Sequence, residues 1–151
     1  MSPHPVRVYV PWLASGVTLA ADQAAKQLIL ARFAAGESLP VLPPVLLFTY
    51  VQNTGAAFGL LKGLQPLFVG LSLAVIGWIV REFVRHPGGH PPAVAWSYAL
   101  ILGGATGNLI DRLRFGYVVD FLDLRVWPVF NLADSAITVG VMLLLWRALK
   151  S

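Results

Sequence analysis

Two aspartates, Asp120 and Asp134, are the residues of this 151-residue chain best suited to acid–base chemistry. Each lies in a largely apolar stretch of sequence, and neither has a lysine or arginine within one helical turn. An unneutralised carboxylate is costly to keep in apolar surroundings, and two of them at close range cannot both ionise. One carboxyl group then holds a proton near neutral pH while the other acts as a base toward water. The pair therefore indicates hydrolysis without a metal.

The other acidic residues have neighbours that favour structural roles. Asp22 precedes Lys26 by four residues, so the two share one helix face and are predicted to form an ion pair. Asp111 is predicted to form a self-satisfied polar cluster with Asn108 and Arg112.

Simpler roles also remain open for Asp134 itself and for Asn131 and Asp123. Asn131 and Asp134 are suited to capping the start of a helix. Asp123 is predicted to be solvated in a loop beside Arg125.

Several other kinds of site are excluded or disfavoured by composition. The sequence has no cysteine, which excludes disulfides, zinc–thiolate sites and cysteine nucleophiles. The three histidines, His4, His86 and His90, lie in polar segments rich in proline and glycine, so we expect no histidine metal site and no cofactor. Basic residues are scattered rather than clustered, so we expect no nucleic-acid partner.

The chain contains four long apolar segments, and these must position the polar residues described above. Hydrophobic residues make up 57% of the chain and charged residues 12%, and the mean hydropathy is +0.71, all typical of a membrane protein. The segments are Val8–Phe33, Leu64–Val84, Ala93–Leu113 and Phe130–Leu149, each near the ~20 residues that cross a bilayer as a helix. We therefore predict an all-α membrane protein with four transmembrane helices, forming a single domain over residues 1–151. The run Gly103–Gly107 is predicted to allow close helix packing.

The connection between the first two segments is predicted to hold a small β-like segment at the membrane surface. Val45–Val51 is rich in β-branched and aromatic residues, and Asn53-Thr54-Gly55 indicates a turn. The stretch from Phe48 to Val51 is expected to offer a strand edge for pairing with another extended segment. An even number of spans places both termini on one side, and the small charge imbalance between the two sides favours the cytoplasmic side.

A series of five polar motifs in a fixed order resembles the bacterial lipoprotein signal peptidase family, signal peptidase II. The resemblance covers nearly the whole chain, from the first predicted helix to the last. The motifs are Asp22-Gln23-Ala24-Ala25-Lys26, Asn53-Thr54-Gly55-Ala56-Ala57-Phe58-Gly59, Gly103-Gly104-Ala105-Thr106-Gly107-Asn108-Leu109-Ile110-Asp111-Arg112, Val118-Val119-Asp120-Phe121 and Phe130-Asn131-Leu132-Ala133-Asp134-Ser135.

The resemblance implies a multipass inner-membrane aspartic endopeptidase. Such an enzyme removes signal peptides from diacylglyceryl-modified prolipoproteins, cutting before the lipidated cysteine. It implies Asp120 and Asp134 as the catalytic pair, a periplasmic β-like segment and cytoplasmic termini. We expect membrane lipid as its surroundings, a monomer, and an apolar group of Phe48, Phe58 and Phe121 facing the lipidated residue. The implied substrate-binding or supporting residues are Asp22, Lys26, Asn53, Gly55, Asn108, Asp111, Arg112 and Asn131.

Two other classes of protein remain open from the residues alone. A small polytopic transporter or channel subunit also carries intramembrane carboxylates, but it is expected to show matching interrupted segments in two halves, and none is visible. A structural membrane adaptor has no need for two unneutralised acids.

Overall fold

Four helices form the body of the molecule in a computed structural model that describes residues 5–55 and 64–150, with side chains from residue 8 onward. Their positions agree with the four apolar segments predicted from the sequence. The helices are α1 (Pro5–Arg32), α2 (Gln65–Arg85), α3 (Pro92–Phe115) and α4 (Leu132–Leu149).

Three of the helices are confirmed as candidate membrane spans. Within the described residues, α2, α3 and α4 are long and apolar enough to cross a bilayer. Helix α1 has 28 residues and is long enough, but Asp22, Gln23 and Lys26 interrupt its apolar character. A crossing by α1 therefore stays a prediction.

A small antiparallel sheet is formed by the segments that come after α1 and after α3 in the chain. Its strands are β1 (Ser38–Leu42), β2 (Leu46–Asn53) and β3 (Val118–Asp123), in the spatial order β1-β2-β3. The β-like segment before α2 is confirmed, whereas β3 was not predicted, because its two aspartates hide a short strand from pattern analysis. The expected edge pairing is wrong for Phe48, which is paired with β1 on one side and with β3 on the other, while Val51 is paired with Asp120 of β3.

Helix α3 lies at the centre of the bundle because its small residues admit close neighbours. A Cβ atom placed on Gly103 would lie 2.6 Å from the carbonyl oxygen of Ser15 on α1. On Gly104 it would lie 2.5 Å from the carbonyl oxygen of Ala133 on α4. The packing role predicted for these glycines is therefore confirmed.

An apolar cluster joins the sheet to the end of α1. It is built around Ile29, Tyr50, Val119 and Phe121, with Phe48 packed against it. Phe121 is only 4% exposed, so it belongs to the core and does not face a bound lipid as expected. Phe48 is half-buried, and the third member of the expected group, Phe58, lies outside the described residues.

Candidate active site

The two predicted catalytic aspartates arrive at the site from different elements. Asp120 lies in the middle of β3, and Asp134 lies in the first turn of α4. Asn131 caps that helix, since its Oδ1 accepts the backbone N–H of Asp134 at 2.8 Å and Oδ2 of Asp134 accepts its backbone N–H at 3.3 Å. The capping interpretation of Asp134 is therefore correct, and it fixes this carboxylate at the helix mouth.

Asp120 is buried and held by two amide groups. It is 1% exposed, its Oδ1 accepts from Nδ2 of Asn131 at 2.7 Å, and its Oδ2 accepts from Nδ2 of Asn53 at 2.9 Å. The backbone N–H of Gly55 donates to Oδ1 of Asn53 at 3.1 Å, which turns the amide nitrogen of Asn53 toward Asp120. The predicted turn at Asn53 and Gly55 thus orients the side chain of Asn53, which donates a hydrogen bond to the carboxylate of Asp120.

Asp134 is half-buried and accepts a hydrogen bond from a third side-chain amide, that of Asn108. Its Oδ1 accepts from Nδ2 of Asn108 at 2.8 Å, and Oδ1 of Asn108 in turn accepts from Nδ2 of Asn131 at 3.1 Å. Among the residues that the structure describes, no cationic nitrogen lies within 4.0 Å of either Asp120 or Asp134. The contacts described for the pair are therefore hydrogen bonds from neutral amides.

Burial changes the proton affinity of Asp120. Loss of solvent, and then the nearby charge of Asp134, raise the pKa of Asp120 from 3.8 to about 7, against the opposing effect of the hydrogen bonds from Asn53 and Asn131. Near neutral pH this carboxyl group is therefore poised between its protonated and ionised forms. Such a group exchanges protons readily in general acid–base catalysis.

A buried ammonium group organises the residues behind the pair. Nζ of Lys26 lies 2.9 Å from Oδ2 of Asp22, 2.8 Å from Oδ2 of Asp111 and 2.9 Å from Oδ1 of Asn108. The predicted ion pair of Asp22 with Lys26 is confirmed. The self-satisfied cluster predicted for Asp111 is wrong, because α1 and α3 pack closely enough for Lys26, rather than Arg112, to be its cation.

The two acids of this network, Asp22 and Asp111, also hold the backbone beside the predicted catalytic pair. Oδ1 of Asp22 accepts the backbone N–H of Ala133 at 3.0 Å, and Oδ2 of Asp111 accepts that of Val119 at 3.0 Å. Ala133 directly precedes Asp134, and Val119 directly precedes Asp120. The charged network therefore fixes the backbone next to each of the two candidate catalytic carboxylates.

An apolar cavity of about 430 Å³ between α2, α3 and α4 borders Asp134. Asp134, Asn108 and Arg112 form its polar end. The Arg112 guanidinium lies 5.4 Å from the ring centre of Phe68, and its Nη1 lies 3.4 Å from the carbonyl oxygen of Asn108. The apolar walls are Leu71, Val75, Trp78, Ile79, Ile101, Ala105, Ile137 and Val141.

Comparison with known proteins identifies the family. Residues 14–150 match the family model described as signal peptidase (SPase) II. The chain belongs to this family. The lipoprotein signal peptidase of Moorella thermoacetica is 53% identical over 133 residues, covering 88% of each chain. That of Pelotomaculum thermopropionicum is 49% identical over 135 residues, covering 89% of this chain and 88% of the relative.

Solved structures agree with the assignment to signal peptidase II. One, described as a bacterial membrane enzyme, is 32% identical and has a TM-score of 0.87 over 95% of this chain and 89% of its own. A second of the same description has a TM-score of 0.85 over 95% of each chain. The protein is therefore a bacterial-type membrane peptidase, and the alternative of a transporter or channel subunit is set aside.

Gln23 also belongs to the polar network of this signal peptidase II chain, and no role was predicted for it from the sequence. Nε2 of Gln23 donates to Oδ1 of Asp111 at 3.1 Å and to the carbonyl oxygen of Gly107 at 3.2 Å. An amide directly after Asp22 in an apolar helix was the available signal, since such a group needs partners inside the protein.

The short connection between the two aspartates is anchored at its start. Asp123 was predicted to be solvated, but it is buried, and it accepts from Oγ1 of Thr49 and from the backbone N–H of Arg125, both at 2.8 Å. Arg125 takes a positive φ of 65°, and Phe130 then pairs with Leu122 beside β3. These contacts return the chain to Asn131 within a few residues.

Proposed function

We propose that this protein is an aspartic endopeptidase that removes signal peptides from diacylglyceryl-modified prolipoproteins, cutting before the lipidated cysteine. Membership of the signal peptidase II family and the names of its relatives support the substrate class. The observation that carries the aspartic mechanism is the placement of Asp120 and Asp134 on either side of Asn131, with no cation from residues 8–55 or 64–150 in contact with either carboxylate.

In the proposed reaction the pair holds one proton and binds one water molecule. The ionised carboxylate removes a proton from that water as it attacks the carbonyl carbon of the scissile bond. The protonated carboxyl group donates to the carbonyl oxygen, and the pair then delivers a proton to the leaving nitrogen. The pKa of about 7 favours Asp120 as the holder of the shared proton.

The apolar cavity supports a substrate that approaches from the membrane. Its walls suit apolar chain, while its polar end brings Asn108 and Arg112 to the same point as Asp134. We propose that these two side chains bind backbone carbonyl groups of the substrate. Acyl chains gain roughly 0.8 kcal/mol per buried CH₂, and this energy, gained away from the reacting bond, helps to hold that bond in place.

We further propose the orientation of the molecule in the bacterial inner membrane. Helix α1 would form the fourth span, since Asp22 and Lys26 are 0% and 1% exposed and neither meets lipid. The sheet and the catalytic pair would then lie on the periplasmic side and both termini in the cytoplasm. We expect the monomer to be the active form.

A paired digestion tests the proposed function. One precursor is presented with and without its diacylglyceryl group in the same detergent, and the products are identified by mass spectrometry. We expect cleavage directly before the cysteine of the lipidated form only, with the Asp134→Asn variant as a control for contaminating peptidases. Equal cleavage of both forms would contradict lipid recognition, and equal cleavage by the variant would contradict the assignment of the site.

A further inference from the structure

A second cluster of ionisable side chains lies at the end of the bundle opposite the catalytic pair. Glu82, His86 and His90 each offer one ligand atom, and these atoms all lie within 4.8 Å of one another. On helix α3, Pro92 lies beside this cluster and Asn108 lies beside the catalytic pair. The helix rises roughly 24 Å between these two residues, at 1.5 Å per residue. The cluster is therefore separate from the active site.

The end of α2 and the following turn bring the three residues together. Glu82 and His86 are one helical turn apart, with Nδ1 of His86 3.3 Å from Oε2 of Glu82. Gly88 has a φ of 67°, a conformation that favours glycine, and the backbone N–H of Gly89 donates to the carbonyl oxygen of His86 at 3.0 Å. This tight turn carries His90 back to the helix end. This reversal of the chain is not visible in the sequence, which is why a histidine site was not expected there.

His90 is held in place by packing. Its ring centre lies 5.3 Å from that of Tyr98 and 6.3 Å from that of Phe83, and its Nε2 lies 3.4 Å from the carbonyl oxygen of Glu82. His86 is 57% exposed at the side chain and stays accessible to an incoming ion. The cluster thus combines a fixed imidazole with an accessible one.

The carboxylate of Glu82 has one oxygen directed to this cluster. Its side chain is 17% exposed, and its Oε1 lies 3.4 Å from Nη1 of Arg81, which is itself half exposed. The second oxygen, Oε2, is the one beside His86. A metal ion bound there would therefore not need to displace Arg81.

We propose that Glu82, His86 and His90 bind one divalent transition-metal ion of the zinc type, which fastens the last turn of α2 to the loop before α3. Two imidazoles and one carboxylate form a donor set that suits Zn²⁺ and its neighbours rather than Mg²⁺ or Ca²⁺, which prefer oxygen donors. Three protein ligands leave a position for water. Because the ion joins a helix end to a loop, its effect is on the stability of this end of the bundle.

The first test is a binding titration of the full chain in detergent, free of any polyhistidine tag. Calorimetry with Zn²⁺ and visible absorption with Co²⁺ are expected to show one equivalent bound per chain. The variants His86→Ala, His90→Ala and Glu82→Gln are each expected to weaken binding at least tenfold. Glu37→Gln, an equal change at an exposed glutamate beyond α1, is the matched control and is expected to bind as the wild type does.

The second test measures thermal unfolding and cleavage together. Zn²⁺ is expected to raise the Tm of the wild type and to leave that of the His86→Ala/His90→Ala double variant unchanged. Cleavage by the Glu82→Gln variant, which conserves side-chain shape, is expected to match the wild type. Absence of saturable binding to the wild type, or binding by the double variant at wild-type strength, would overturn the proposal.

Discussion

Nδ2 of Asn131 donates a 2.7 Å hydrogen bond to Oδ1 of Asp120, while the backbone N–H of Asn131 donates to Asp134 at 3.3 Å. One residue thus contacts both carboxylates and fixes how they face each other. Because its amide is neutral, it holds the pair without neutralising either charge. A lysine in the same place would pair with the carboxylates and suppress the sharing of a proton between them.

We expect Asp120→Asn and Asp134→Asn each to lower the cleavage rate by about 10²–10⁴-fold or more, because asparagine keeps the shape of the side chain but cannot exchange the proton. The rate is measured on the lipidated precursor in detergent, and thermal unfolding confirms that each variant is folded.

Asp111→Asn is the matched control for these changes, because Asp111 binds Lys26 and the backbone of Val119 rather than Asp120 or Asp134. It is expected to retain part of the activity and to lose stability. If Asp111→Asn were as inactive as Asp134→Asn while Asp120→Asn stayed active, the catalytic pair would have to be Asp111 with Asp134.

The pH dependence of cleavage is expected to report on Asp120. A pair that works with one proton loses activity as that proton dissociates, so the rate should fall as pH rises through about 7, the pKa of Asp120. The hydrogen bond from Asn53 lowers this pKa, so Asn53→Ala should move the alkaline limb of the profile to higher pH. A limb that does not move in this variant would contradict the role of Asp120.

The same raised pKa makes a prediction about stability. Between pH 4 and pH 7 the folded state binds the proton of Asp120 more tightly than the unfolded state does, so its contribution to stability is present at low pH and is lost as pH rises through about 7. Asp120→Asn removes this dependence. We therefore measure the Tm of both proteins at pH 5 and at pH 8. The difference, Tm of Asp120→Asn minus Tm of the wild type, is expected to be more positive at pH 8.

Lys26→Met is expected to destabilise the protein by about 3–5 kcal/mol, because it leaves the buried carboxylates of Asp22 and Asp111 without their shared cation. Denaturant or thermal unfolding in one detergent measures the loss. Gln27→Met, at the exposed neighbouring position on α1, is the control and is expected to change stability little. A small effect at Lys26 would mean that these acids are neutralised in another way.

Gly104→Ala is expected to separate α3 from α4 and to cost about 1–3 kcal/mol or more, since the added Cβ would lie 2.5 Å from the carbonyl oxygen of Ala133. Cleavage should fall too, because Ala133 directly precedes Asp134. The control is Gly77→Ala on α2, where an added Cβ meets no atom within 4 Å. Equal unfolding of the two variants would contradict the close packing of α3 on α4.

The sequence was sufficient where the signal was local. Hydropathy located the helices, and the lack of nearby cations singled out Asp120 and Asp134. It was insufficient where the partners lie far apart in the chain, as with Lys26 and Asp111, because helix packing decides which residues meet. The strand β3 was missed for a related reason, since a six-residue strand with two acids becomes regular only when β2 pairs with it.

The shared ammonium group of Lys26 has a consequence for how the enzyme matures in the membrane. It belongs to α1, yet it neutralises the two acids that hold the backbone beside Asp120 and Asp134. A nascent chain whose later helices have inserted, but whose first helix has not yet docked, therefore has no assembled proteolytic centre. Hydrolytic competence therefore depends on the packing of α1 against α3, which brings Lys26 to Asp111.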